Sequence, residues 1–243
     1  GPVYTGPVPR YQVYVPPSPF GESAGEPSVG YNPATKRAMY ISGLQTLRAT
    51  FAENLSPALP ESCEANWEDV SYVLTGIASL DPILFTDPVS GRTHVSQLRS
   101  QAAGPVLVGN NSYYAYSDDD GESWTPGQID APNGSLDHQT VGGGAYPAAL
   151  APILGNVNND GRAVYYCSQA YVTGLCARSD TGGLTYNRPT PAYDLATSGC
   201  SSIHGHVKVG PDGTVYLPHN NCESEAAVSV STDAGTTWDV RFV

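Results

Sequence analysis

Six acidic or imidazole side chains lie at the starts of predicted strands that recur along the chain or, for Asp137 and His138, in the segment "LDHQTVGGG" that leads into such a strand. Two of them, Glu26 and Asp81, each stand before a proline in similar segments that are 55 residues apart. Paired carboxylates perform acid/base chemistry on glycosidic bonds, and carboxylates together with histidines bind divalent metal ions. The alternative is that each group caps the end of its own strand. The six candidates for a shared ligand site are Glu26, Asp81, Asp137, His138, His204 and His206.

The histidines of the segment "HGHVKVG" raise a second possibility. His204 and His206 are two positions apart, so on a strand they share one face. With His138 they would form a metal site made of imidazoles. A structural role for the pair is the alternative, and the sequence favours it.

The segment "GNVNNDGR" is a weak calcium candidate. Asn156, Asn158 and Asp160 precede Gly161 with the spacing of the first half of a calcium-binding loop. The segment has one full carboxylate, and no Glu follows at the twelfth position of the loop. A tight turn without a cation is therefore the favoured interpretation, and calcium is the one candidate cofactor.

Two further acidic stretches are interpreted as structural. "SDDDGESW" and "STDAGTTW" share the pattern Ser-x-Asp-x-Gly-x-Ser/Thr-Trp. In such a turn the Asp accepts backbone N–H groups, the Gly supplies a positive φ, and the Trp packs between neighbouring sheets. We call residues 117–124 and 231–238 the first and third box loops. Their defining residues are Ser117, Asp119, Gly121, Trp124, Ser231, Asp233, Gly235 and Trp238.

The box loops belong to a longer repeat. Hairpins with Asn/Asp-Gly or Asn/Asp-Pro turns recur along the chain, and each is followed by an aromatic landmark: Trp67, Trp124, Tyr186 or Trp238. The third unit has an altered box, "SDTGGLTY", which we call the second box loop (residues 179–186). Four units of about 50–60 residues match the size of propeller blades. The predicted domains are an extended Pro/Gly/Tyr-rich arm (1–25) and blades at about 26–75, 76–135, 136–198 and 199–243.

Composition agrees with an all-β chain. The 243 residues include 26 Gly, 21 Pro and 16 Tyr, which favours many turns and strands over helices. The net charge of −12 disfavours a nucleic acid or an anionic membrane surface as partner. The sequence has no apolar run of about 18 residues, so we expect no membrane span.

The cysteines suggest an oxidising compartment. No Cys-x-x-Cys pair occurs, which argues against structural zinc. Cys167 and Cys176 flank a predicted hairpin, and Cys200 and Cys222 flank a second, so we expect two disulfides with Cys63 outside them. A secreted or extracytoplasmic protein is the expected setting.

The two box loops that end in Trp resemble the Asp-boxes of bacterial neuraminidases. "EPSVGYNP", "SLDPILFTDPVSGRTHVSQ", "DHQTVGGG" and "HGHVKVGPDGTVY" are similar to segments of bacterial sialidase-like proteins. The resemblance covers about residues 25–243 and implies a β-propeller of four-stranded blades. It implies less about activity, because one fold hosts many functions.

Sialidases of known activity, as this resemblance implies, have six blades, an arginine triad, a Tyr nucleophile paired with Glu, an Asp acid/base and an Arg-Ile-Pro motif. This chain has no Arg-Ile-Pro, and none of its nine arginines can be assigned to a triad from motifs. The sequence contains four units rather than six. A fragment of a longer propeller, a second chain that completes the ring, and a closed four-bladed ring are the alternatives.

Three functions remain open at this level. The first is an extracellular binding or assembly module for protein or glycan. The second is a sialidase-like glycoside hydrolase that uses carboxylates at the mouth of the central channel. The third is a structural subunit of a larger complex, bound to its neighbour through the N-terminal arm.

Overall fold

A computed structural model describes residues 13–22, 25–51, 65–73, 79–103, 106–129, 136–155, 161–201 and 203–243. These residues form an all-β structure of four antiparallel, four-stranded blades in chain order. The strands of blade 1 are β1 Ser28–Asn32, β2 Arg37–Ser42, β3 Gln45–Phe51 and β4 Ala65–Asp69. Those of blade 2 are β5 Ser79–Thr86, β6 Thr93–Ala103, β7 Val106–Ser117 and β8 Thr125–Pro126.

Blades 3 and 4 follow the same plan. Blade 3 contains β9 Leu136–Ala145, β10 Arg162–Ala170, β11 Thr173–Ser179 and β12 Thr190–Asp194. It also carries two single-turn helices, α1 Ala151–Leu154 and α2 Leu195–Ser198. Blade 4 contains β13 Lys208–Val209, β14 Val215–Cys222, β15 Glu225–Ser231 and β16 Asp239–Phe242. Among the described residues, no helix is long and apolar enough to cross a bilayer.

The blades are arranged as part of a propeller. The first strand of each blade contacts the first strand of the next, so β1, β5, β9 and β13 lie side by side at the centre. Among the described residues, two bridging residue pairs join blades 2 and 3: Gly109 with Leu136 and Gln128 with Thr185. Within the described part of the chain the strand pairing does not close into a ring. The fold is therefore a partial propeller.

The apolar core lies between the blades. Met39 and Ile41 of blade 1 pack with Leu84 and Val95 of blade 2. Similar buried clusters join blade 2 to blade 3 and blade 3 to blade 4. Successive side chains point to opposite faces of a sheet, and in β10 seven consecutive residues are buried, so this strand packs on both faces.

Each box loop connects the third and fourth strands of a blade. The Ser hydroxyl at the start of the loop accepts the N–H of the Gly four residues later, at 2.8 Å in all three loops. In the first loop, the carboxylate of Asp119 accepts the backbone N–H of Ser123 at 2.9 Å. In the third, Asp233 accepts the N–H of Thr237 at 2.9 Å. The acidic residues of the loops therefore shape turns.

The second box loop keeps this geometry with different residues. The hydroxyl of Thr181 accepts the N–H of Thr185 at 2.9 Å and so replaces the carboxylate. Asp180, the acid that stands one place early, instead accepts hydrogen bonds from Arg178 and from the hydroxyl of Tyr146. The altered sequence thus preserves the turn and leaves the carboxylate of Asp180 to accept from Arg178 and Tyr146.

Arginines join each box loop to the preceding blade. In every case a guanidinium donates to the backbone carbonyl of the fourth box residue, which has a φ of 54°, 66° or 57°. No pattern in the sequence predicts this contact. The three pairs are Arg48 with Asp120 at 3.3 Å, Arg92 with Gly182 at 2.9 Å, and Arg178 with Ala234 at 2.5 Å.

Two disulfides have the predicted partners. Cys167 and Cys176 face each other across β10 and β11 and are bonded. Cys200 is bonded to Cys222, which ends β14. Cys63 and residues 1–12 of the arm lie outside the described residues.

Candidate functional site

Three residues at the entrances of the central strands share an unusual backbone. Glu26, Asp81 and His138 have φ values of 48°, 47° and 47°. Residues other than Gly rarely adopt this left-handed backbone conformation, and those that do are concentrated at functional sites. The sequence predicted that Glu26 and Asp81 are equivalent, and His138 occupies the same position in the third blade.

Irregular pairing accompanies two of these residues. The register of β5 against β6 shifts between Leu80 and Ile83, on either side of Asp81. The register of β9 against β10 shifts opposite His138, between Cys167 and Gln169. Bulges of this kind bend a strand and redirect a side chain. Here the residues at these irregularities, Asp81 and His138, line the same cavity.

A cavity of about 200 Å³ lies where these strands begin. Each blade contributes one ionisable side chain to its lining: Glu26, Asp81, His138 and His206. Gln139 also lines this cavity, and the sequence analysis did not single it out. We call this cavity the mouth.

Hydrogen bonds tie the second and third blades together at the mouth. The backbone N–H of His138 donates to the carboxylate of Asp81 at 3.3 Å and to that of Asp137 at 2.9 Å. The side-chain amide of Gln139 donates to the backbone carbonyl of Asp81. Asp137 therefore lies beside the mouth although it does not line the cavity.

Burial and neighbouring carboxyl groups raise the pKa values of two acids at the mouth. Burial raises the pKa of Asp81, and the neighbouring carboxyl group of Glu26 raises it further. Burial and the negative charge of Asp81 raise the pKa of Asp137. Carboxylates that crowd together in this way favour retention of a proton, and such perturbation is frequent where ligands bind or react.

The histidines lie against the acidic cluster. The ring of His138 meets the ring of His204 edge to face, with centroids 5.7 Å apart, and the ring of His206 at 6.1 Å. Burial lowers the pKa of His204 to about 4. Desolvation, the charge of Lys208 and the nearby His138 lower the pKa of His206. His204 and His206 are therefore neutral near pH 7.

This arrangement offers hydrogen-bond acceptors and little positive charge. Carboxylates at the mouth can accept hydroxyl groups of a ligand, and a protonated carboxyl group can donate. Among the described residues that line the cavity there is no arginine or lysine.

Five of the nine arginines instead bridge neighbouring blades. Arg48, Arg92 and Arg178 bind box loops, as described above. Arg37 contacts the buried carboxylate of Asp120 at 3.4 Å, and Arg162 pairs with Asp87. These contacts link residues far apart in sequence, so spacing along the chain did not reveal them.

The calcium candidate cannot be placed. Asn156, Asn158 and Asp160 lie outside the described residues. In the described part of the chain, one group of three has ligand atoms within 4.8 Å of one another: Cys200, His219 and Cys222. Its two sulfur atoms already form a disulfide.

No family model matches the chain, and no curated protein matches it. Solved structures do. The NanB sialidase from Streptococcus pneumoniae superposes with a TM-score of 0.56 at 10% identity, over 96% of this chain and 54% of that chain. The intramolecular trans-sialidase from Ruminococcus gnavus superposes with a TM-score of 0.51 at 14% identity, over 89% of this chain and 69% of that chain.

The likeness shows the fold. A luciferin-regenerating enzyme superposes about as well, with a TM-score of 0.52 at 11% identity over 88% of this chain and 61% of that chain. The chain spans about half of NanB and three fifths of this enzyme. The sialidase-like fold that the sequence predicted is thus present, and proteins with different activities share it.

Proposed function

We propose that this chain is an extracellular glycan-binding module whose site is the mouth. The observation that carries the proposal is the convergence of Glu26, Asp81 and His138, which occupy equivalent left-handed positions in three successive blades. Convergence of equivalent positions on one cavity is typical of a propeller ligand site. Two buried disulfides support an extracytoplasmic setting.

The charge of the mouth selects the class of glycan. Three carboxyl groups crowd the site, and the arginine triad implied by the resemblance to sialidases has no counterpart among the described residues that line it. A ligand that carries a carboxylate would be repelled. Neutral sugars, whose hydroxyl groups donate to carboxylates, fit the site better.

Binding of neutral oligosaccharides to the purified chain, measured by calorimetry, tests the proposal. Asp81→Asn should weaken binding by roughly 10- to 100-fold, because hydrogen bonds to charged groups contribute about 1.5–3 kcal/mol. Asp233→Asn, at a box loop outside the mouth, is the matched control and should bind as the unchanged protein does. Equal affinity of the two variants would contradict the assignment of the mouth.

A glycoside hydrolase is the second candidate. The raised pKa of Asp81 beside Asp137 favours it, since glycosidases pair a protonated carboxylic acid with a carboxylate. Aryl glycosides of neutral sugars distinguish the two functions. Release of the aryl group that is lost in both Asp81→Asn and Asp137→Asn would favour the enzyme.

A protein partner is the third candidate, and the open arrangement of blades supports it. Strand pairing within the described residues does not join blade 4 back to blade 1. A further chain that completes the ring would cover those two blades. Sedimentation of the protein purified from its native source tests this role, because a structural subunit would travel with its partner.

A further inference from the structure

Four of the chain's five histidines line one cavity. This second cavity, of about 560 Å³, is bordered by His138, His204, His206 and His219. It adjoins the mouth, because His138 and His206 line both spaces.

The ring spacings suit a shared ion. Metal–nitrogen bonds of about 2.0–2.1 Å place the centroids of two imidazoles on one ion roughly 4.5–6.5 Å apart. The centroids of His138 and His204 are 5.7 Å apart, and those of His138 and His206 are 6.1 Å apart. His138 therefore lies between two possible co-ligands.

His204 has a nitrogen that is free to bind a metal. Its Nδ1 lies 2.9 Å from the backbone carbonyl of Gly205, and a carbonyl only accepts, so Nδ1 carries the proton. The lone pair is then on Nε2, which is buried and has no hydrogen-bond partner among the described residues. A backbone carbonyl that fixes the opposite nitrogen is the usual arrangement of metal-binding histidines.

His138 presents a second orphaned nitrogen. Its Nδ1 is also buried without a hydrogen-bond partner in the described part of the chain. Buried polar atoms are nearly always bonded, so two such atoms on adjacent rings indicate a missing ligand.

We propose that His138, His204 and His206 bind one transition-metal ion such as Zn²⁺ or Cu²⁺. Imidazole ligands favour these ions over Ca²⁺ or Mg²⁺. The three ligand atoms do not already lie within 4.8 Å of one another, so side-chain rotation completes the site. The exposed side chain of His206 supplies that freedom. The metal site shares His138 and His206 with the mouth, and binding of the ion does not itself require a glycan.

Metal binding to the full chain, after treatment with EDTA, tests the site. Titration with Zn²⁺ in a calorimeter should show one ion per chain. With Cu²⁺ as the probe, electron paramagnetic resonance should show coupling to imidazole nitrogens. Binding without nitrogen coupling would assign the ion to the carboxylates and overturn the proposal, as would the absence of binding.

Variants identify the ligands. His204→Gln and His206→Gln should each weaken Zn²⁺ binding by roughly 100-fold, because each removes one of three ligands. His206→Gln remains informative if His204→Gln fails to fold, since His206 is exposed. Unchanged affinity in folded His206→Gln would overturn the assignment.

His219→Gln is the matched control within the same cavity. Its Nε2 bonds the hydroxyl of Ser229 and its Nδ1 contacts the sulfur of Cys222, both at 2.8 Å. It therefore has no free nitrogen, and the variant should retain Zn²⁺ affinity. Asp81→Asn should also retain it, which separates failure of the metal site from failure of glycan binding.

Discussion

The indole N–H of Trp124 donates a hydrogen bond to the backbone carbonyl of Val70, 2.7 Å away. Trp124 ends the first box loop, which belongs to blade 2, and Val70 follows the last strand of blade 1. Trp238 makes the corresponding contact in blade 4, where its indole N–H reaches the hydroxyl of Thr190 in blade 3 at 3.3 Å. The Trp of a box loop thus attaches its own blade to the one before it.

Trp124→Phe should lower the free energy of unfolding by about 1 kcal/mol, in addition to the loss of some apolar contact. The Phe ring retains part of the packing and removes the donor, and a hydrogen bond of this kind contributes about 0.5–1.5 kcal/mol. Denaturation by urea measures the change. Trp67→Phe is the control, since the described structure shows an edge-to-face contact with Tyr40 but no indole hydrogen bond there. An equal loss in both variants would contradict a specific role for the bond.

Arg178→Lys should destabilise the protein by about 1–3 kcal/mol. The guanidinium bonds both carboxylate oxygens of Asp180 and the carbonyl of Ala234, and an ammonium group cannot reproduce that planar geometry. Arg241→Lys is the control, because Arg241 and Asp239 form an exposed ion pair and the change should stay within about 0.5 kcal/mol. Equal melting temperatures of the two variants would argue against a stabilising contact between Arg178 and Ala234.

Asp119→Ala and Asp233→Ala should each cost about 1–3 kcal/mol of stability and leave ligand affinity unchanged. Burial opposes ionisation of Asp119, but hydrogen bonds from Ser123 and Ser117 outweigh it and lower its pKa. Hydrogen bonds from Thr237 and Ser231 likewise outweigh burial and lower the pKa of Asp233.

This shift fixes the sign of the pH dependence. A carboxyl group with a lowered pKa in the folded state stabilises the protein above its unfolded pKa of about 3.9, and the contribution disappears as the pH falls through the folded pKa. The difference in the free energy of unfolding between the unchanged protein and either variant should therefore become smaller below about pH 4. A gap independent of pH, or lost ligand binding with unaltered melting, would show that these loops are misassigned.

Asp81→Asn should have the opposite effect on stability. Burial and Glu26 raise the pKa of Asp81, so ionisation of this group opposes folding at neutral pH. The variant should be more stable than the unchanged protein at pH 7, and the difference should shrink as the pH falls toward 4. Urea denaturation at several pH values measures it. A less stable variant at pH 7 would mean that the carboxylate holds the structure together.

Peptide mapping without reduction should recover Cys167 joined to Cys176 and Cys200 joined to Cys222, with Cys63 in neither bond. The two disulfides join residues that are 9 and 22 positions apart. Replacement of either pair by Ala should cost about 3 kcal/mol, because the unfolded chain regains the entropy that the bond removed. A peptide that links Cys63 to one of the four would overturn the pairing.

Local chemistry made the turns predictable from the sequence. The positions of Ser117, Asp119 and Gly121 specify one turn, and its bonds join residues at most four apart. The sequence also predicted that Glu26 and Asp81 are equivalent, because both repeats have an acidic residue before a proline. The third equivalent, His138, shares neither feature, and only its backbone conformation reveals it.

Contacts between distant residues were not predictable. The interaction of Arg92 with Gly182 joins residues 90 positions apart and depends on a carbonyl, which has no signature in the sequence. In the sequence, the second box loop departs from the pattern, because Thr181 stands where the other two loops have Asp. In the folded chain the hydroxyl makes the same bond, while Asp180 turns to Arg178.

The contact from an arginine to the next box loop has a direction. Each donor lies in the earlier blade and each acceptor in the later one. Blades 2, 3 and 4 are therefore each fastened by the arginine of the blade before, and the row of blades has a polarity. Energetic coupling in such a row passes mainly between nearest neighbours. Loosening of the first box loop should increase amide hydrogen exchange in blades 1 and 2 and leave blade 4 protected.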